Sequence, residues 1–586
     1  MDDFIVGHFS SYSTTFNHDS SYCILKKGIP LLHAELERYS RIKPGIGDAL
    51  ELLENTYPDI GKIKYSVSTY DDLVRLYHRD AKRFNKFCKV INRNKGKLLY
   101  MGHHEAHAAN AFFSSNFDKS LIITLDGGGY DHSIEGTIYN WDQNKKIVGW
   151  PEGEFGGDSI FKIESNGKIE ILDLVQSAQA MWYGSGNKIK RLHIQSRIPG
   201  TIGKVNIGAV WNVIGVSVYG LSSSIGPAGS QAGTIMAMAT MGDPDKYYHL
   251  FKTRNMLDAV EEHNIPYLKK EVQKSEQHSF DVAAALQRAT EDIIRKYIKD
   301  AIQKRPNCEN LCLGGGVALN SVATGKIKEW FPQIKNIYIP PAPYDGGLTI
   351  GVAQYIYHHY FNQPRIKWDD CCTPYMGGKY NLDDIESALA KVTDHTSYQI
   401  CDDNIIIDKL AQQKIIAIYG GRSESGRRAL GNRSIIADPR NKEIKNIING
   451  KVKHRQWFRP FAPSVLEEDV PLYFENQEEG ITRSPYMSFV LKFKKDIREL
   501  VPGVVHCDGS ARLQTVTKKS NEWYYTFLKK WKSKSGISIL LNTSFNDREP
   551  ICETPAHAIN CFLKTNLDYL YFYDYNIIVN KSSTID

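Results

Sequence analysis

Two histidines four residues apart are the first residues whose types and spacing suggest chemistry. His103 and His107 lie in a segment of good helix formers, so both imidazoles would project from one face of a helix, about one turn apart. Two such histidines can share a metal ion, and Asp126, which follows the strand-like residues 121–125, could be a third ligand. The pattern therefore predicts a metal site, although such a histidine pair is also common on helix surfaces and in helix packing.

Three glycines follow Asp126 in the sequence. Backbone N–H groups that no Cβ shields suit phosphate oxygens and metal-bound groups, so we predict that Gly127 and Gly128 bind a nucleotide. The histidines do not match the zinc-peptidase pattern His-Glu-x-x-His, because only one residue separates Glu105 from His107. A glutamate-assisted zinc peptidase is therefore disfavoured.

A second glycine-rich turn and a second aspartate follow later in the chain. Residues 311–320 combine a strand, three glycines and a helix start, an arrangement in which a nucleotide can lie against the backbone, although a triple glycine alone is a weak motif. Asp345 follows another strand candidate, residues 337–339, and is a possible fourth metal ligand. The residues predicted to contact the nucleotide here are Gly314, Gly315, Gly316 and Asn320.

The elements that would position these residues occur twice. An apolar strand at residues 4–7 leads into a hairpin at residues 22–32, and residues 121–125 lead into a similar hairpin at residues 136–150. In a loose alignment, residues 18–21 of the first lobe take the place of the Asp-Gly-Gly-Gly run of the second. Two such lobes indicate an internal duplication with a nucleotide-binding cleft between them.

A second domain is expected beyond residues 360–383, where periodicity fades into Pro, Gly, Asp and Asn. Residues 420–434 and 451–461 carry arginines among glycines, prolines and apolar residues, which suits multidentate binding of phosphate or carboxylate. Residues 537–546 form a buried-type strand ending in hydroxyl and amide side chains, which either bind a nucleotide or cap the next turn. Lysines and aromatics at residues 518–534 suggest a nucleic-acid surface, or, as the better interpretation, a basic helix that packs its aromatics inward.

Length and composition set the class of protein. The 586 residues are too many for one ordinary core, so two or three domains are expected. The chain shows neither an apolar run of membrane-spanning length nor a signal peptide, so we expect a cytoplasmic location and no membrane partner. Its ten cysteines show no zinc or disulfide framework. A net charge of +7 is compatible with anionic substrates and only weakly suggests nucleic acid.

Together these blocks resemble the NodU/CmcH-type O-carbamoyltransferase family, which includes antibiotic-tailoring enzymes. The resemblance runs through nearly the whole chain, and the order and spacing of its blocks are specific. The blocks that carry it are residues 18–21, 103–107, 313–316, 459–463 and 542–546. It implies an α/β fold, with a duplicated actin-like (ASKHA) ATPase-type domain at residues 1–365 followed by a YrdC-like α/β domain at residues 366–586.

By this resemblance the first domain binds a metal and a nucleotide and transfers a carbamoyl group, like the related tRNA threonylcarbamoyl-transfer proteins. The family implies Fe²⁺, whereas a mixed imidazole and carboxylate set would equally accept Mn²⁺ or Zn²⁺. The implied metal ligands are His103, His107, Asp126 and Asp345.

The resemblance assigns carbamoyl phosphate and ATP, with Mg²⁺ accompanying the ATP, to the second domain. Lys453 and Arg455 match the Lys-x-Arg element of YrdC proteins. Ser544 and Asn546 match the Ser-x-Asn element, and Arg512 would join them. The other residues predicted to bind these substrates are Arg428, Arg459 and Asn542.

The implied reaction has two steps. The second domain makes carbamoyl adenylate, its arginines and lysine offsetting crowded phosphate charge, and the first domain transfers the carbamoyl group to an acceptor hydroxyl and releases AMP. His18, with Asp19 beside it, is the candidate base for the hydroxyl proton, because imidazole titrates near working pH. The alternative role of His18 is to fix the first hairpin.

Three positions depart from the family pattern, and the acceptor is not readable from the sequence. Arg427 stands where proline is usual, Gln456 where glutamate is usual and Thr234 where lysine is usual, the last bearing most on acceptor or phosphate contacts. We expect the acceptor to be a small hydroxylated metabolite such as a sugar or an antibiotic. The alternatives are a hydroxymethylated base in DNA, a non-catalytic nucleotide-binding regulator, and a tRNA N-carbamoylating enzyme that uses threonine and bicarbonate.

Overall fold

The chain divides into two compact units. The computed structural model describes residues 4–10, 19–43, 45–57, 63–73, 97–141, 145–149, 159–196, 207–221, 231–252, 260, 263–367, 374–475 and 480–582. The first unit is Met1–Glu37, Lys43–Leu319 and Gln333–Trp368, and the second is Arg38–Ile42, Asn320–Pro332 and Asp369–Asp586. The second unit therefore includes two short segments that precede the predicted boundary at residue 365.

The first unit contains two β-sheets. Its strands are β1 (Phe4–Phe9), β2 (Ser21–Lys26), β3 (Ile29–Glu35), β4 (Ile63–Thr69), β5 (Lys97–Met101), β6 (Lys119–His132), β7 (Tyr139–Trp141), β8 (Lys145–Gly149), β9 (Ser159–Ser165), β10 (Lys168–Ser185), β11 (Lys188–Ser196), β12 (Asn310–Gly314) and β13 (Asn336–Tyr338).

The helices of both units follow in chain order. They are α1 (Leu36–Ser40), α2 (Ala49–Thr56), α3 (His103–Phe113), α4 (Ile207–Val213), α5 (Ala232–Ala239), α6 (Tyr248–Phe251), α7 (Asn264–Lys274), α8 (Glu276–Lys304), α9 (Ser321–Gly325), α10 (Ile327–Trp330), α11 (Leu348–Gln354), α12 (Leu382–Leu389), α13 (Asp403–Ala411), α14 (Ile444–Lys451), α15 (Val470–Tyr473), α16 (Lys495–Leu500), α17 (Glu522–Ser535) and α18 (Pro555–Lys564). In the part of the chain that the structure describes, none of the helices combines the length and the apolar character that crossing a bilayer requires.

The two sheets of the first unit share one topology. The strand orders are β3-β2-β1-β4-β5-β7 and β13-β12-β6-β10-β9-β8, with β11 also paired to β10. In each sheet a central strand, β1 or β6, pairs antiparallel with one neighbour and parallel with the other. The antiparallel sides continue as β2–β3 and β10–β11, and the parallel sides as β4–β5 and β12–β13. The predicted duplication is therefore confirmed.

The hairpin predicted at residues 136–150 is wrong. β7 pairs with β5 in the first sheet, and β8 pairs with β9 in the second. The antiparallel partner of β6 is instead β10. Alternating hydrophobicity identifies a strand but not the strand beside it, which explains the error. Residues 142–144, in the middle of this predicted hairpin, lie outside the described residues.

β6 also runs further than predicted. The sequence indicates a strand that stops before the glycines, but β6 continues to His132. Its register with β10 shifts between Leu125 and Gly129, where residues 126–128 lie opposite Ala178 alone. These residues therefore form a β-bulge, which directs the Asp126 carboxylate out of the regular ladder. Gly128, at φ +131°, has a backbone conformation that few other residues adopt.

The second unit is built on one mixed sheet. Its strands are β14 (Thr396–Ile400), β15 (Ile416–Tyr419), β16 (Arg433–Ala437), β17 (Ala462–Leu466), β18 (Phe489–Lys492), β19 (Ser510–Val516), β20 (Ile539–Ser544), β21 (Tyr569–Phe572) and β22 (Ile577–Lys581), in the order β14-β22-β21-β15-β16-β20-β17-β19-β18. Side chains of β15 alternate between two cores: Ile416 and Ile418 pack with Trp531 of α17, whereas Ala417 and Tyr419 pack with Phe562 of α18. Helices therefore cover both faces, and the predicted α/β class is confirmed.

Helix α17 contains the basic and aromatic stretch. It buries Tyr524, Phe527, Leu528 and Trp531, whereas Trp523 and Tyr525 are half-buried, so the prediction that the aromatics pack inward is confirmed for Tyr524 and Trp531. Its lysines form ion pairs with carboxylates, which neutralise much of the positive charge. These pairs are Lys529–Glu468, Lys530–Asp403, Lys532–Asp469 and Lys534–Asp408. The helix therefore gives no support to a DNA acceptor.

Candidate metal centre and arginine cluster

The four residues predicted to bind metal lie together in the first unit, and we call them the four-ligand group: His103, His107, Asp126 and Asp345. One ligand atom from each of them lies within 4.8 Å of the others. The Nε2 atom of His107 is 2.7 Å from Asp126 Oδ2 and 3.5 Å from Asp345 Oδ1. The Nε2 atom of His103 is 3.5 Å and 3.8 Å from the same two oxygens. Two imidazoles and two carboxylates therefore converge on one point, and metal binding there stays a prediction.

The protonation of this cluster follows from its geometry. Burial lowers the pKa of His107, but its hydrogen bonds to Asp126 and Asp345 outweigh that effect and leave the pKa raised. Burial raises the pKa of Asp126, and its hydrogen bonds to the two histidines bring it well below the usual range. Protons therefore bind where a cation would bind, and a metal ion must displace them.

Asp71 is a residue that the sequence analysis missed. Its Oδ2 atom is 3.0 Å from His103 Nδ1, on the side of the ring away from the other ligands. A carboxylate that accepts the Nδ1–H bond fixes the ring orientation and leaves Nε2 for a metal. The sole signal in the sequence is an aspartate two residues past the end of β4, which is common and carries little information.

Replacing Asp71 with asparagine is expected to weaken metal binding about 10- to 100-fold, because the His103 ring loses its oriented, charged partner. Titration of the purified protein with Fe²⁺, Mn²⁺ and Zn²⁺ would measure the change. Asp72→Asn is the matched control: Asp72 accepts hydrogen bonds from Ser68 Oγ and the Ser10 backbone, and lies outside the four-ligand group. An equal loss in both variants would contradict this role for Asp71.

Helix α3 is fixed at both ends. Gly102 precedes it and offers no capping side chain, so Asp131 Oδ1 accepts the N–H groups of His104 at 3.1 Å and Glu105 at 3.3 Å. At the other end, Arg365 donates to the carbonyls of Phe112, Ser115 and Phe117. A buried helix held by a carboxylate at its N-terminus and a guanidinium at its C-terminus presents its histidines rigidly.

The turn that carries Asp345 is held by the first lobe. Ser21 Oγ on β2 donates to the Gly346 carbonyl at 2.8 Å, and His33 Nε2 on β3 donates to the same carbonyl at 2.7 Å. Asp126 comes from the second lobe, on β6. Both lobes of the duplicated fold therefore position the four ligands.

The glycines predicted to bind a nucleotide differ in their surroundings. A Cβ on Gly315 would lie 2.1 Å from the Leu125 carbonyl oxygen, and one on Gly314 would lie 2.9 Å from the His107 carbonyl oxygen, so packing alone requires both glycines. A Cβ on Gly127 would meet nothing within 4 Å. A Cβ on Gly316 would lie 3.1 Å from Asp126 Oδ1. Nucleotide binding by these residues stays a prediction.

The other predicted residues of this half of the chain have structural contacts of their own. The Asn320 side chain accepts the Ala323 N–H at 3.1 Å and caps α9. Asp19 is buried, adopts a left-handed backbone at φ 75° and donates its N–H to the Gly45 carbonyl. His18 lies outside the described residues. Thr234 is buried on α5, with its hydroxyl 3.3 Å from Gln231 Oε1.

The second unit gathers four arginines close enough to repel one another. Burial lowers the pKa of Arg512 well below its usual value, and the positive charges of three other arginines lower it further. Because a guanidinium keeps its proton in proteins, this repulsion persists until an anion relieves it. We call the four the arginine cluster: Arg428, Arg455, Arg459 and Arg512.

Lys453 joins the two predicted YrdC-type elements. Its ammonium donates to the Ser544 carbonyl at 2.5 Å, Ser544 Oγ at 3.2 Å, the Asn546 carbonyl at 2.8 Å and Asn546 Oδ1 at 2.6 Å. Burial lowers the pKa of Lys453 well below its usual value, and the charges of Arg455 and Arg459 add to that shift. The structure therefore brings these predicted residues into direct contact beside the arginine cluster.

Two buried residues that the sequence analysis missed hold the arginine loops. Asn449 on α14 accepts the Arg455 Nε–H at 2.8 Å and donates to the Arg459 carbonyl at 3.0 Å. Glu424 Oε1 accepts backbone N–H groups on the far side of the loop that carries Arg428. The donors are Leu430, Asn432 and Arg433. A carboxylate within a basic run was the available signal for Glu424.

Two polar residues near the arginine cluster, Arg433 and Asn542, make their hydrogen bonds within the protein. Arg433 is fully buried, donates to the Gly420 carbonyl at 2.6 Å and the Asn432 carbonyl at 2.9 Å, and lies over the Tyr419 ring. The Asn542 amide donates to the Ala429 carbonyl, Ser464 Oγ and Gln514 Oε1. These contacts favour scaffold roles, and ligand binding by Asn542 stays a prediction.

Comparison with known proteins gives consistent matches along the chain. Residues 46–354 match the family described as Carbamoyltransferase N-terminus, and residues 407–579 match Carbamoyltransferase C-terminus. The uncharacterized protein sll1178 of Synechocystis is 30% identical over 81% of this chain and 75% of its own. Nodulation protein NolO of Bradyrhizobium diazoefficiens is 32% identical over 80% of this chain and 77% of its own. Nodulation protein NolNO of Sinorhizobium fredii is 29% identical over 98% and 80%.

Proposed function

The chain belongs to the carbamoyltransferase family and is a transferase enzyme, and from that premise we propose a specific reaction. The second unit makes carbamoyl adenylate from carbamoyl phosphate and ATP, and the first unit transfers the carbamoyl group to a hydroxyl of a small metabolite. The observation that carries the proposal is the crowding of four arginines beside a buried lysine that bridges Ser544 and Asn546.

The first step needs a site that accepts several phosphate groups at once. Formation of carbamoyl adenylate consumes one water: carbamoyl phosphate, ATP and water give carbamoyl adenylate, pyrophosphate and phosphate. Water takes the phosphoryl group of carbamoyl phosphate, and the carbamate oxygen forms the bond to the α-phosphorus of ATP as pyrophosphate leaves. The mutual repulsion of the arginine cluster falls when these anions bind, and the guanidiniums stabilise the charge on the leaving pyrophosphate.

The second step supports a role for the four-ligand group. The adenylate carbonyl carbon forms a bond to the acceptor oxygen, its bond to the AMP oxygen breaks, and the acceptor proton passes to a base, for which His18 is the candidate. The two imidazoles and two carboxylates fit Fe²⁺, which we propose, and also Mn²⁺ or Zn²⁺. A divalent ion held there would bind the adenylate phosphate and stabilise the charge of the departing AMP.

A small hydroxylated acceptor is favoured over DNA. The lysines of α17, the stretch of the chain that resembled a nucleic-acid surface, form ion pairs with carboxylates of the second unit. Nucleic-acid binding rests largely on lysine and arginine side chains that contact phosphates, and paired lysines are less available for it. A sugar or antibiotic hydroxyl needs no such surface.

Incubation of the purified protein with ATP is expected to release pyrophosphate only when carbamoyl phosphate is also present. A panel of hydroxylated sugars, aminoglycosides and hydroxymethylated DNA, supplied with labelled carbamoyl phosphate, would then identify the acceptor through labelled product and AMP. Absence of pyrophosphate with a correctly folded, metal-loaded protein would favour a non-catalytic nucleotide-binding regulator. Dependence on threonine and bicarbonate instead of carbamoyl phosphate would favour a tRNA N-carbamoylating enzyme.

A further inference from the structure

A short turn ahead of β19 places a histidine beside the arginine cluster. The turn is closed by two backbone hydrogen bonds, from the His506 N–H to the Ser510 carbonyl at 2.7 Å and from the Gly509 N–H to the His506 carbonyl at 3.0 Å. The Lys445 ammonium donates to the Val505 carbonyl at 3.0 Å, next to this turn. The charged groups that act on the His506 ring are Asp508, Arg512 and Lys445. His506 is therefore a neighbour of Arg512.

The hydrogen bonds of the turn fix the tautomer of His506. Ser510 Oγ is 2.6 Å from Asp508 Oδ1 and 3.2 Å from His506 Nδ1. The carboxylate can only accept, so the single hydroxyl proton of Ser510 goes to Asp508. The hydroxyl oxygen must then accept its second hydrogen bond from His506, which places a proton on Nδ1. In a neutral imidazole the remaining nitrogen, Nε2, is an acceptor.

The ring is neutral at physiological pH. Burial lowers the pKa of His506 to about 4; the Asp508 charge opposes that shift, and the charges of Arg512 and Lys445 add to it. Nε2 is buried and has no hydrogen-bond partner among the residues that the structure describes. Such a buried acceptor requires a donor, because leaving it unsatisfied costs free energy. Fully ionised phosphate and carboxylate groups cannot supply one, because they carry no proton.

Arg512 has the complementary property. Its Nε–H group is also buried and has no acceptor within the described part of the chain. The two neighbours therefore present one unsatisfied acceptor and one unsatisfied donor. A primary amide-like group offers the matching pair, an N–H donor and a carbonyl oxygen attached to the same carbon.

We propose that His506 Nε2 accepts a hydrogen bond from the NH₂ group of carbamoyl phosphate while Arg512 Nε donates to its carbonyl oxygen, so that the pair selects carbamoyl phosphate over other acyl phosphates. This assignment rests on the proposed function. The carbamoyl carbon is joined directly to the phosphate oxygen, so a phosphate held by the arginine cluster brings that group to residues adjoining the cluster. His506 is thus a specificity-determining residue that binds the substrate and does not itself take a proton from it.

Acetyl phosphate is the probe that isolates this contact, because it replaces NH₂ with CH₃ and keeps the carbonyl and the phosphate. Calorimetric titration of the full-length protein with carbamoyl phosphate and with acetyl phosphate, without ATP, gives the two dissociation constants. The natural protein is expected to bind carbamoyl phosphate about 10- to 100-fold more tightly. His506→Phe, which removes the acceptor and keeps the ring volume, is expected to reduce that ratio to within threefold by weakening carbamoyl phosphate binding alone.

His506→Gln provides the conservative comparison. Its side-chain amide can place an oxygen near the position of Nε2, so part of the preference for carbamoyl phosphate is expected to return. If His506→Phe does not fold, His506→Ala in the same titration decides the question. An unchanged ratio in a folded Phe or Ala variant would overturn the assignment.

Two further results separate this inference from its premise. Adenine also offers a donor and an acceptor on one edge, so loss of discrimination between ATP and ITP in His506→Phe, with the acyl phosphate ratio unchanged, would overturn the proposal in favour of a base-reading role. A natural protein that releases pyrophosphate from ATP and carbamoyl phosphate, while its His506 variants keep the acyl phosphate ratio, retains the proposed function and loses only the His506 assignment. A natural protein that binds neither acyl phosphate and releases no pyrophosphate contradicts both.

Discussion

Replacing His107 with alanine is expected to abolish carbamoyl transfer while carbamoyl adenylate still forms. His107 Nε2 lies 2.7 Å from Asp126 Oδ2 and belongs to the four-ligand group, so its loss removes one imidazole from the set. The helix that carries His107 is buried along its whole length, so no other side chain can move into the position of the lost imidazole. Pyrophosphate release should remain within about twofold of the natural protein, because the arginine cluster belongs to the second unit.

The measurement compares pyrophosphate release with formation of carbamoylated acceptor in the same preparation. His107→Gln is the second variant, since it keeps most of the side-chain volume and removes the imidazole. The matched control is His104→Asn, on the same helix: its Nδ1 is 2.9 Å from Thr124 Oγ1, and burial lowers its pKa to about 4, so it stays neutral and outside the four-ligand group. Loss of both steps in a folded His107 variant would show that the division of labour between the two units is wrong.

Local features of this chain were predictable from the sequence, and the reason is geometric. The spacing of His103 and His107 fixes their common helical face whatever the rest of the fold does. Apolar residues recur at three- or four-residue steps between residues 281 and 304, which predicts an amphipathic helix. The structure has this helix as α8, which begins earlier, at Glu276, and is capped by Ser275. These features depend on contacts between residues a few positions apart in the chain, so the residue spacing alone predicts them.

Long-range features were predictable only where topology constrains them. Asp126 and Asp345 meet because Asp126 lies in β6, Asp345 lies in a turn that follows β13, and both strands belong to one sheet. The partner of β6 was not predictable, since β7 and β10 both have the pattern of strands and pairing depends on the rest of the chain.

Residues of the same type within one loop were also indistinguishable from sequence. Arg428 and Arg433 lie five residues apart in a glycine-rich run, yet Arg433 donates to buried carbonyls, whereas Arg428 contributes positive charge beside Arg512. The role of Asp71 depends on where the His103 ring lies, which only the folded chain determines. Charge and spacing therefore indicate that a loop binds anions without showing which of its arginines does so.

Replacing Lys453 is expected to stop carbamoyl adenylate formation and leave the four-ligand group intact. Lys453 Nζ donates to both Ser544 and Asn546, and its charge adds to the field of Arg455 and Arg459 where the phosphates are proposed to bind. Alanine and methionine both leave those acceptors without a donor, but alanine also leaves a cavity where the side chain was buried. Lys453→Met keeps the length of the side chain and is therefore the cleaner variant. We expect pyrophosphate release to fall about 100- to 1,000-fold, as for the loss of one preorganised donor to developing charge.

The control is Lys451→Met, which removes the same charge from an exposed position two residues away and is expected to keep pyrophosphate release within about twofold. Metal content of the four-ligand group should be unchanged in both proteins, because His103, His107, Asp126 and Asp345 all belong to the first unit. Equal activity of Lys453→Met and the natural protein would contradict the proposed adenylation site, and loss of metal in Lys453→Met would trace the defect to folding. Neither variant alone distinguishes the loss of one reaction step from misfolding of the protein. If Lys453→Met loses only pyrophosphate release and the His107 variant loses only carbamoyl transfer, each unit is assigned one step of the reaction.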